Sequence, residues 1–452
     1  MGKIDREKIK VFFLFLGISV FLAFVLTNNI LAVDKLPPLR VGIFLKQDEI
    51  NIGGDGTFKI HNLKSKSLVS EEHNKIIKML PHNKGIEISG KGVYSGPINI
   101  IPVGNTKIIV IINDQKYRYR GNIEIVLDKN YKKLNIINII GIEEYLYGVL
   151  KKEISPSWHA EALKAQAVAA RTFAIFNMNK YSDKGYNLCA STYSQAYGGV
   201  NHEDSLTNRA VDETRGIIIV YKGKSINAVY HSDSGGYTED SENVWGSYEP
   251  YLRSVKSKYE ELVSPPHHTW TYSITKEDLT ERLQRQGYEI DTVVSIKPVK
   301  KSKTGRISEL AFISKNNKTI YMKSNDLRKL IGPELIRSTL FNIKIIGEEL
   351  IIEEREDKEE SIETKVEEEK EETLQSLINK LREKHKKQKE SEVTIAEVKT
   401  PNIPLTFLFS GSGNGHGVGM SQWGAYGMAL QGYKYQDILK YYYQGINIIK
   451  KY

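Results

Sequence analysis

Between residues 40 and 140 the chain repeats one pattern. The short runs "LRVGIFL", "INIIPV", "KIIVII", "IEIVL" and "LNIINII" are separated by Gly, Asn, Asp and Lys. β-branched side chains fit a pleated, half-buried surface, and runs bounded by turn residues read as strands. This quarter of the chain therefore folds as sheet. The only cysteine is Cys189, so no disulfide within the chain can staple the sheets. They must be held by a packed core. With 452 residues, 40% of them hydrophobic, there is enough chain for two or three domains' worth of core.

Helical signals begin after the sheets. "KKEISPSWHAEALKAQAVAARTF" (151–173) contains an Ala- and Leu-rich stretch, and the predicted helix covers 158–180. "GIIIVYKGKSINAVYH" (216–231) is a second β-rich stretch, with "YKGK" as a hairpin turn. Short helices are predicted at 276–290 and 325–337, then strands in "FNIKIIGEELIIEE". The C-terminal "GSGNGHGVGMSQWGAYGMALQGYKYQDILKYYYQGINI" opens on a Gly-rich loop. Two helices follow, with Gly432 and Gly445 as their stops. The fold class is α+β.

Charge divides the chain further. Residues 1–10, "MGKIDREKIK", are basic, and residues 11–33 form an uncharged run of 23 residues. That run is long enough to span a bilayer. Basic residues on its N-terminal side predict a cytoplasmic N-terminus and an extracytoplasmic bulk, at the cytoplasmic membrane. A cleaved signal peptide is the rival reading; no small-x-small site follows the apolar core, which favours an uncleaved anchor. Residues 353–399 are a charged, low-complexity insertion. In 353–390 acids outnumber bases 14 to 10, and only Leu374, Leu377, Ile378 and Leu381 form a short apolar stripe. Such a stretch has too little apolar surface for a core of its own. The chain as a whole is net +9 with a pI of about 9.0. Outside the membrane, wall polymers and lipid head groups are the available polyanions. No nucleic-acid motif is present.

Several residues are candidates for chemistry. On the 158–180 helix, Glu161, Lys164, Arg171 and Thr172 fall within an arc of roughly 100°. The stripe is either a solvated face with a Glu161–Lys164 pair or the wall of a cleft. Glu153 precedes a Ser-Pro-Ser turn, near the positive end of that helix, where a carboxylate is stabilised as the anion. A general acid needs the opposite, an apolar pocket that raises its pKa; Leu150, Ile154 and Trp158 are available for that. In "GNGHGVGMSQ" the glycines alternate around His416, which suggests backbone packed closely against something. It lacks the Lys and Ser/Thr of a phosphate loop. "YHSDSGGYTEDSENVW" holds His, Ser and Asp without a nucleophile elbow, and the His267–His268 pair has no metal motif around it.

Four separated motifs occur in one order: "EEYLYGVLKKEISPSWHAEALKAQAVAARTFA", "YSQAYGG", "YHSDSGGYTEDSENVWG" with "YLRSV", and "GHGVGMSQWGAYGMALQG" with "ILKYYYQGINI". Together they strongly resemble the SpoIID/LytB family, named for a sporulation peptidoglycan lytic transglycosylase and an amidase modifier. The resemblance covers about residues 117–449, interrupted by the charged insertion, with a β-rich part at 40–116 before it. It implies a β-rich fold with a few short helices lining a substrate cleft. It places the catalytic acid on Glu153. It makes Glu161, Lys164, Arg171, Gln195, Tyr197, Ser232, Tyr251, His416 and Gln422 the substrate-binding set. The implied reaction cuts the MurNAc-β-1,4-GlcNAc bond and closes a 1,6-anhydro ring on MurNAc, without a cofactor. The implied substrate is a glycan strand stripped of stem peptides by a partner amidase; the alternative is a non-catalytic, wall-binding modifier of an N-acetylmuramoyl-L-alanine amidase. Some members hold zinc with a His and two Cys. Here Cys189 matches the first Cys, Ser194 stands at the second, and no His lies between residues 160 and 201, so no metal is expected.

Overall fold

The computed structural model describes residues 36–128, 132–347 and 405–452. These form two units. The first comprises the chain up to Ser232, Tyr248–Ser264 and Val418–Tyr452; the second comprises Asp233–Ser247 and Pro265–Gly417.

The first unit is built on two sheets. In the seven-stranded sheet the order is Leu188–Cys189, Leu39–Gln47, Leu134–Ile140, Asn122–Leu127, Ile98–Pro102, Thr57–Asn62 and Ser67–His73. The six-stranded sheet runs Gln115–Tyr119, Ile108–Ile112, Ile50–Gly54, Ile76–His82, Gly85–Ile88 and Gly92–Tyr94. Alternate residues point inward, as the two-residue period of a strand demands. Phe58 and Ile60, Ile98 and Ile100, Ile108 and Val110, and Ile123 and Ile125 are buried from both sheets into one core. Because Leu134–Ile140 pairs antiparallel with Leu39–Gln47, the sheet body runs on to Ile140, the end of the strand-rich stretch read from the sequence.

Three helices follow the sheets: Ile142–Glu153, Ala160–Phe176 and Ser205–Glu213. The first and third were not expected. The apolar residues Ile142, Tyr145, Leu146, Val149 and Leu150 of the first are all buried and recur at the i, i+3, i+4, i+7, i+8 spacing of a helix face. The preceding strand "LNIINII" runs straight into this helix and hides its start. The Ala-rich helix is shorter than 158–180. His159 is its N-cap and accepts the Glu161 N–H at 3.3 Å. Ile217–Tyr221 and Lys224–Ser225 form the expected hairpin, with φ of 48° at Lys222 and 78° at Gly223. Those paired left-handed residues are what a tight hairpin turn needs. The helices Gln422–Leu430 and Tyr435–Tyr442 and the strand Asn447–Lys450 complete this unit, the strand pairing with Ile217–Tyr221.

The second unit contains two three-stranded sheets. One is ordered Thr269–Thr275, Thr406–Ser412, Phe341–Ile346, the other Val293–Lys301, Ile307–Ser314, Thr319–Lys323. Its longer helices, Lys276–Arg285 and Ser324–Ile331, are shorter than predicted. Gly287 and Gly332, both at positive φ, stop them early. A separate core of Leu279, Leu283, Leu310, Phe312, Leu327, Phe407 and Phe409 holds these elements together. Strand Phe341–Ile346 pairs antiparallel with Thr406–Ser412, with Ile346 opposite Thr406. The charged insertion thus leaves and rejoins the fold at adjacent positions. That insertion (353–399), residues 1–10 and the 11–33 run lie outside the described residues. Among the described residues no helix is long and apolar enough to cross a membrane.

Candidate active site

Glu153 is the last residue of the helix Ile142–Glu153. It therefore sits at a negative helix end, where the dipoles of its own helix disfavour its anion. Burial also pushes the Glu153 carboxyl above the usual range. This outweighs hydrogen bonds from the Ala196 N–H, Gln422 and Tyr230, and the charge of Lys152, which act the other way. The Ala196 N–H reaches Glu153 Oε1 at 3.2 Å. Leu150 and Ile154 are buried beside it in the chain.

The groups around Glu153 are themselves fixed. Tyr145 donates its hydroxyl proton to Gln195 Oε1 at 3.2 Å, and Gln195 Nε2 donates to the Tyr230 hydroxyl oxygen at 3.0 Å and the Ala170 carbonyl at 3.3 Å. With the Tyr230 oxygen already accepting, its proton is directed to Glu153. Gln422 Nε2 also lies 3.5 Å from Gln166 Oε1. Gln195 and Gln422 are thus brought to the acid, but as buried residues that hold it and its neighbours. The sequence reading missed Tyr230. It is the first residue of the "YHSDSGG" motif and sits on a two-residue strand, Tyr230–His231, paired parallel with Met420–Ser421.

An aromatic group also stands near this acid in the chain. Trp158 stacks on Tyr426 with ring centres 4.8 Å apart and planes 11° apart, and meets Trp423 edge-on at 4.8 Å. All three are half-buried. Trp423 directly follows Gln422, so one helix supplies both an acid partner and two rings. Two glycines of that helix meet its neighbours at close range. A Cβ on Gly424 would lie 1.9 Å from the Tyr442 hydroxyl, and one on Gly427 would lie 2.1 Å from the Tyr259 carbonyl. The glycines let the helix seat closely and present its aromatic edge.

The charged stripe is not a solvated face: each of its residues has partners within the fold. Arg171 is fully buried. It donates to Glu143 through Nε at 3.0 Å and Nη2 at 2.6 Å, and to the carbonyls of Val211 and Ile217 at 3.1 Å each. Glu143 in turn accepts the Gly216 N–H at 3.1 Å and the Tyr452 hydroxyl at 2.7 Å. Thr172 binds the Val168 carbonyl and the Ile219 N–H. Glu161 pairs with Lys164 at 3.3 Å and accepts the Tyr435 N–H at 2.9 Å, so its charge complements the N-terminus of the Tyr435–Tyr442 helix. Lys164 reaches Glu213 at 2.8 Å. The stripe joins helices to one another.

The remaining residues of the expected binding set have structural partners of their own. Tyr197 is buried and donates to Asn138 Oδ1 at 2.7 Å. Tyr251 is buried and its hydroxyl accepts the Asn227 N–H at 3.2 Å. The Ser232 carbonyl accepts the Trp423 N–H at 3.1 Å. His416 belongs to the second unit, where its ring lies 5.1 Å from that of Trp245. The alternating glycines do mark close approach. A Cβ on Gly417 would lie 2.6 Å from the Arg306 guanidinium carbon, and one on Gly413 would lie 2.9 Å from the Gly235 nitrogen.

Residues 130–221, which carry Glu153 and the Ala-rich helix, match the family model described as stage II sporulation protein. The chain is 30% identical to stage II sporulation protein D of Bacillus subtilis over 324 residues, 68% of this chain and 74% of that relative. The chain belongs to the SpoIID family. It is also 29% identical over 424 residues to an uncharacterised protein of Brachyspira hyodysenteriae, covering 93% of this chain and 95% of the relative. The amidase enhancer of Bacillus subtilis is 31% identical over 313 residues; 67% of this chain matches it, and the match spans 40% of that relative's length. Residues 258–358 match a domain of unknown function.

The SpoIID resemblance makes the Cys189 segment the place to test for zinc. Sγ lies 3.3 Å from each of the Ser191 and Ser194 hydroxyls and 4.0 Å from that of Tyr181. Cys189 and Ser194 are indeed neighbours. One thiol among hydroxyls does not fit a zinc site, which takes about four ligands, mostly Cys and His. Nor is Cys189 the small buried apolar residue that a free Cys often is; it is half-buried in a polar setting.

Proposed function

We propose that this SpoIID-family chain is a peptidoglycan lytic transglycosylase that uses Glu153 as its single acid and base. The observation that carries the reading is a carboxyl held at a helix C-terminus, with burial raising its pKa and donors from Ala196, Gln422 and Tyr230 fixing its orientation. Protonated Glu153 donates to the glycosidic oxygen as the C1–O bond breaks. The MurNAc ring passes through an oxocarbenium-like state. Ionised Glu153 then takes the proton of the C6 hydroxyl, and that oxygen closes on C1 as a 1,6-anhydro ring. The acid is regenerated and no water enters, so the carboxylate pair of a hydrolytic glycosidase is not required. The half-buried rings of Trp158, Trp423 and Tyr426 supply faces for sugar rings. The 11–33 run would anchor the enzyme in the cytoplasmic membrane with its bulk outside, and a cell-wall amidase would supply strands free of stem peptides.

A second reading is favoured by the likeness to the amidase enhancer. In it the chain binds wall glycan and modifies an amidase without cutting. Digestion of peptide-free and intact glycan strands, read by mass spectrometry, separates the readings. New 1,6-anhydro ends support the transglycosylase. New reducing ends would mean hydrolysis, and an unchanged glycan with a stimulated amidase would mean the second reading.

A further inference from the structure

The second unit contains a cavity of about 240 Å³. It lies between the short helix Ser241–Trp245 and the sheet of Val293–Lys301, Ile307–Ser314 and Thr319–Lys323. Glu239 fixes one side. Its buried carboxylate accepts the Asp240 N–H at 2.9 Å, Asn243 Nδ2 at 2.8 Å and the Ser302 hydroxyl at 2.5 Å, with Thr304 as a further donor. Arg306, also on the lining, is anchored to the Ser234 carbonyl at 2.5 Å. Lys303 pairs with Asp240 at 2.9 Å. The walls are therefore preformed by hydrogen bonds from both sides.

The lining selects a class of ligand. Its charges balance, with Lys300, Lys323 and Arg306 against Glu239, Glu242 and Glu309. A strongly anionic or cationic ligand has no net field to bind. Asn243, Ser302, Ser308 and Asn325 add neutral donors and acceptors. One wall is an indole: Trp245 is 47% exposed, with its ring 5.1 Å from that of His416. A flat apolar face beside mixed donors and acceptors suits a polyhydroxylated ring, whose C–H face stacks while its hydroxyls both give and receive hydrogen bonds. The volume is below the roughly 300–1,000 Å³ of drug-sized pockets, so the cavity accommodates a single ring.

We propose that this cavity is a saccharide subsite that takes one pyranose ring, with Trp245 as its stacking wall. The subsite lies in the unit that does not contain Glu153. It holds whether or not Glu153 is the catalytic acid; only the choice of an N-acetylated amino sugar rests on the wall-glycan reading. The test is calorimetric titration of the full-length chain, carrying Glu153→Gln to prevent turnover, with N,N′,N″-triacetylchitotriose. Trp245→Ala should weaken one binding event by about tenfold, the loss expected for removal of a stacking ring. Trp245→Phe should restore most of it, and Asn243→Ala should weaken the same event. Because Trp245 is half-exposed on a five-residue helix, the melting temperature should not move. Binding to Trp245→Ala that matches its parent would overturn the proposal. So would a loss that Trp245→Phe fails to restore. A failure of the Glu153 reading shows itself separately, in the products of glycan digestion.

Discussion

The charge state of Glu153 is set by opposing groups, and each can be removed singly. Glu153→Gln keeps the shape but carries no carboxyl proton, so cleavage should fall by about 10²–10⁴-fold or more while glycan binding persists. The stability effect has a definite sign. A carboxyl whose folded pKa is raised contributes stability that is full below its unfolded pKa and is lost as pH rises through the raised folded value. Gln is neutral throughout. The variant should therefore melt above the wild type at pH 7, and the gap should close below about pH 4. Equal melting at both pH values would show that Glu153 is not strained as an anion. Tyr230→Phe removes a donor that favours the carboxylate. The alkaline limb of the pH–rate profile should move to higher pH, with melting lowered by the loss of the acceptor that the Tyr230 hydroxyl gives the buried Gln195 amide. Arg171 behaves oppositely. Arg171→Met leaves Glu143 buried with its cationic partner gone, at a cost of about 3–5 kcal/mol. Activity lost with an unaltered melting temperature would return Arg171 to the substrate-binding set.

At the scale of elements, the helices are positioned by polar contacts that periodicity does not reveal. The Ala-rich helix packs through small residues on one side. Through Arg171, Thr172 and Glu161 it also reaches the acid-bearing helix, the strand Ile217–Tyr221 and the Tyr435–Tyr442 helix. The stripe at 161, 164, 171 and 172 was legible as a stripe. Its direction was not, because the partners that tie it to other elements lie 28 to 274 residues away in the chain. The strand pair Phe341–Ile346 and Thr406–Ser412 carries a prediction at this scale. Ile346 and Thr406 are cross-strand partners, so a tight connection can replace what lies between them, and closure entropy changes slowly with loop length. Replacement of residues 353–390 by a short Gly/Ser linker should preserve a cooperative melt and glycan cleavage. Loss of the melt would assign that stretch a structural role.

For the whole molecule, the metal question is posed first at Cys189. The hydroxyl-rich surroundings of Cys189 predict no zinc held at that residue: Cys189→Ala should leave the metal content of the purified protein and its glycan cleavage unchanged. A zinc lost together with activity in Cys189→Ala would reverse this. The sequence by itself determined the strand-rich body, because β-branched alternation is a local signal that only a sheet can satisfy. It determined the candidate acid through the motif around Glu153, and the positive-φ turn at Lys222–Gly223. It also carried the apolar period of Ile142–Glu153, although the adjoining strand concealed it. The tertiary structure alone decided that Glu153 ends a helix of its own, whose dipole acts on the carboxyl with the opposite sign to that of the helix it precedes. It alone turned Gln195 and Tyr230 into an oriented chain of hydrogen bonds toward the acid, and closed Arg171 into an ion pair. The reason is the same in each case. Burial and hydrogen-bond partnership are set by residues distant in sequence, and a side chain's chemistry follows from those partners rather than from its neighbours along the chain.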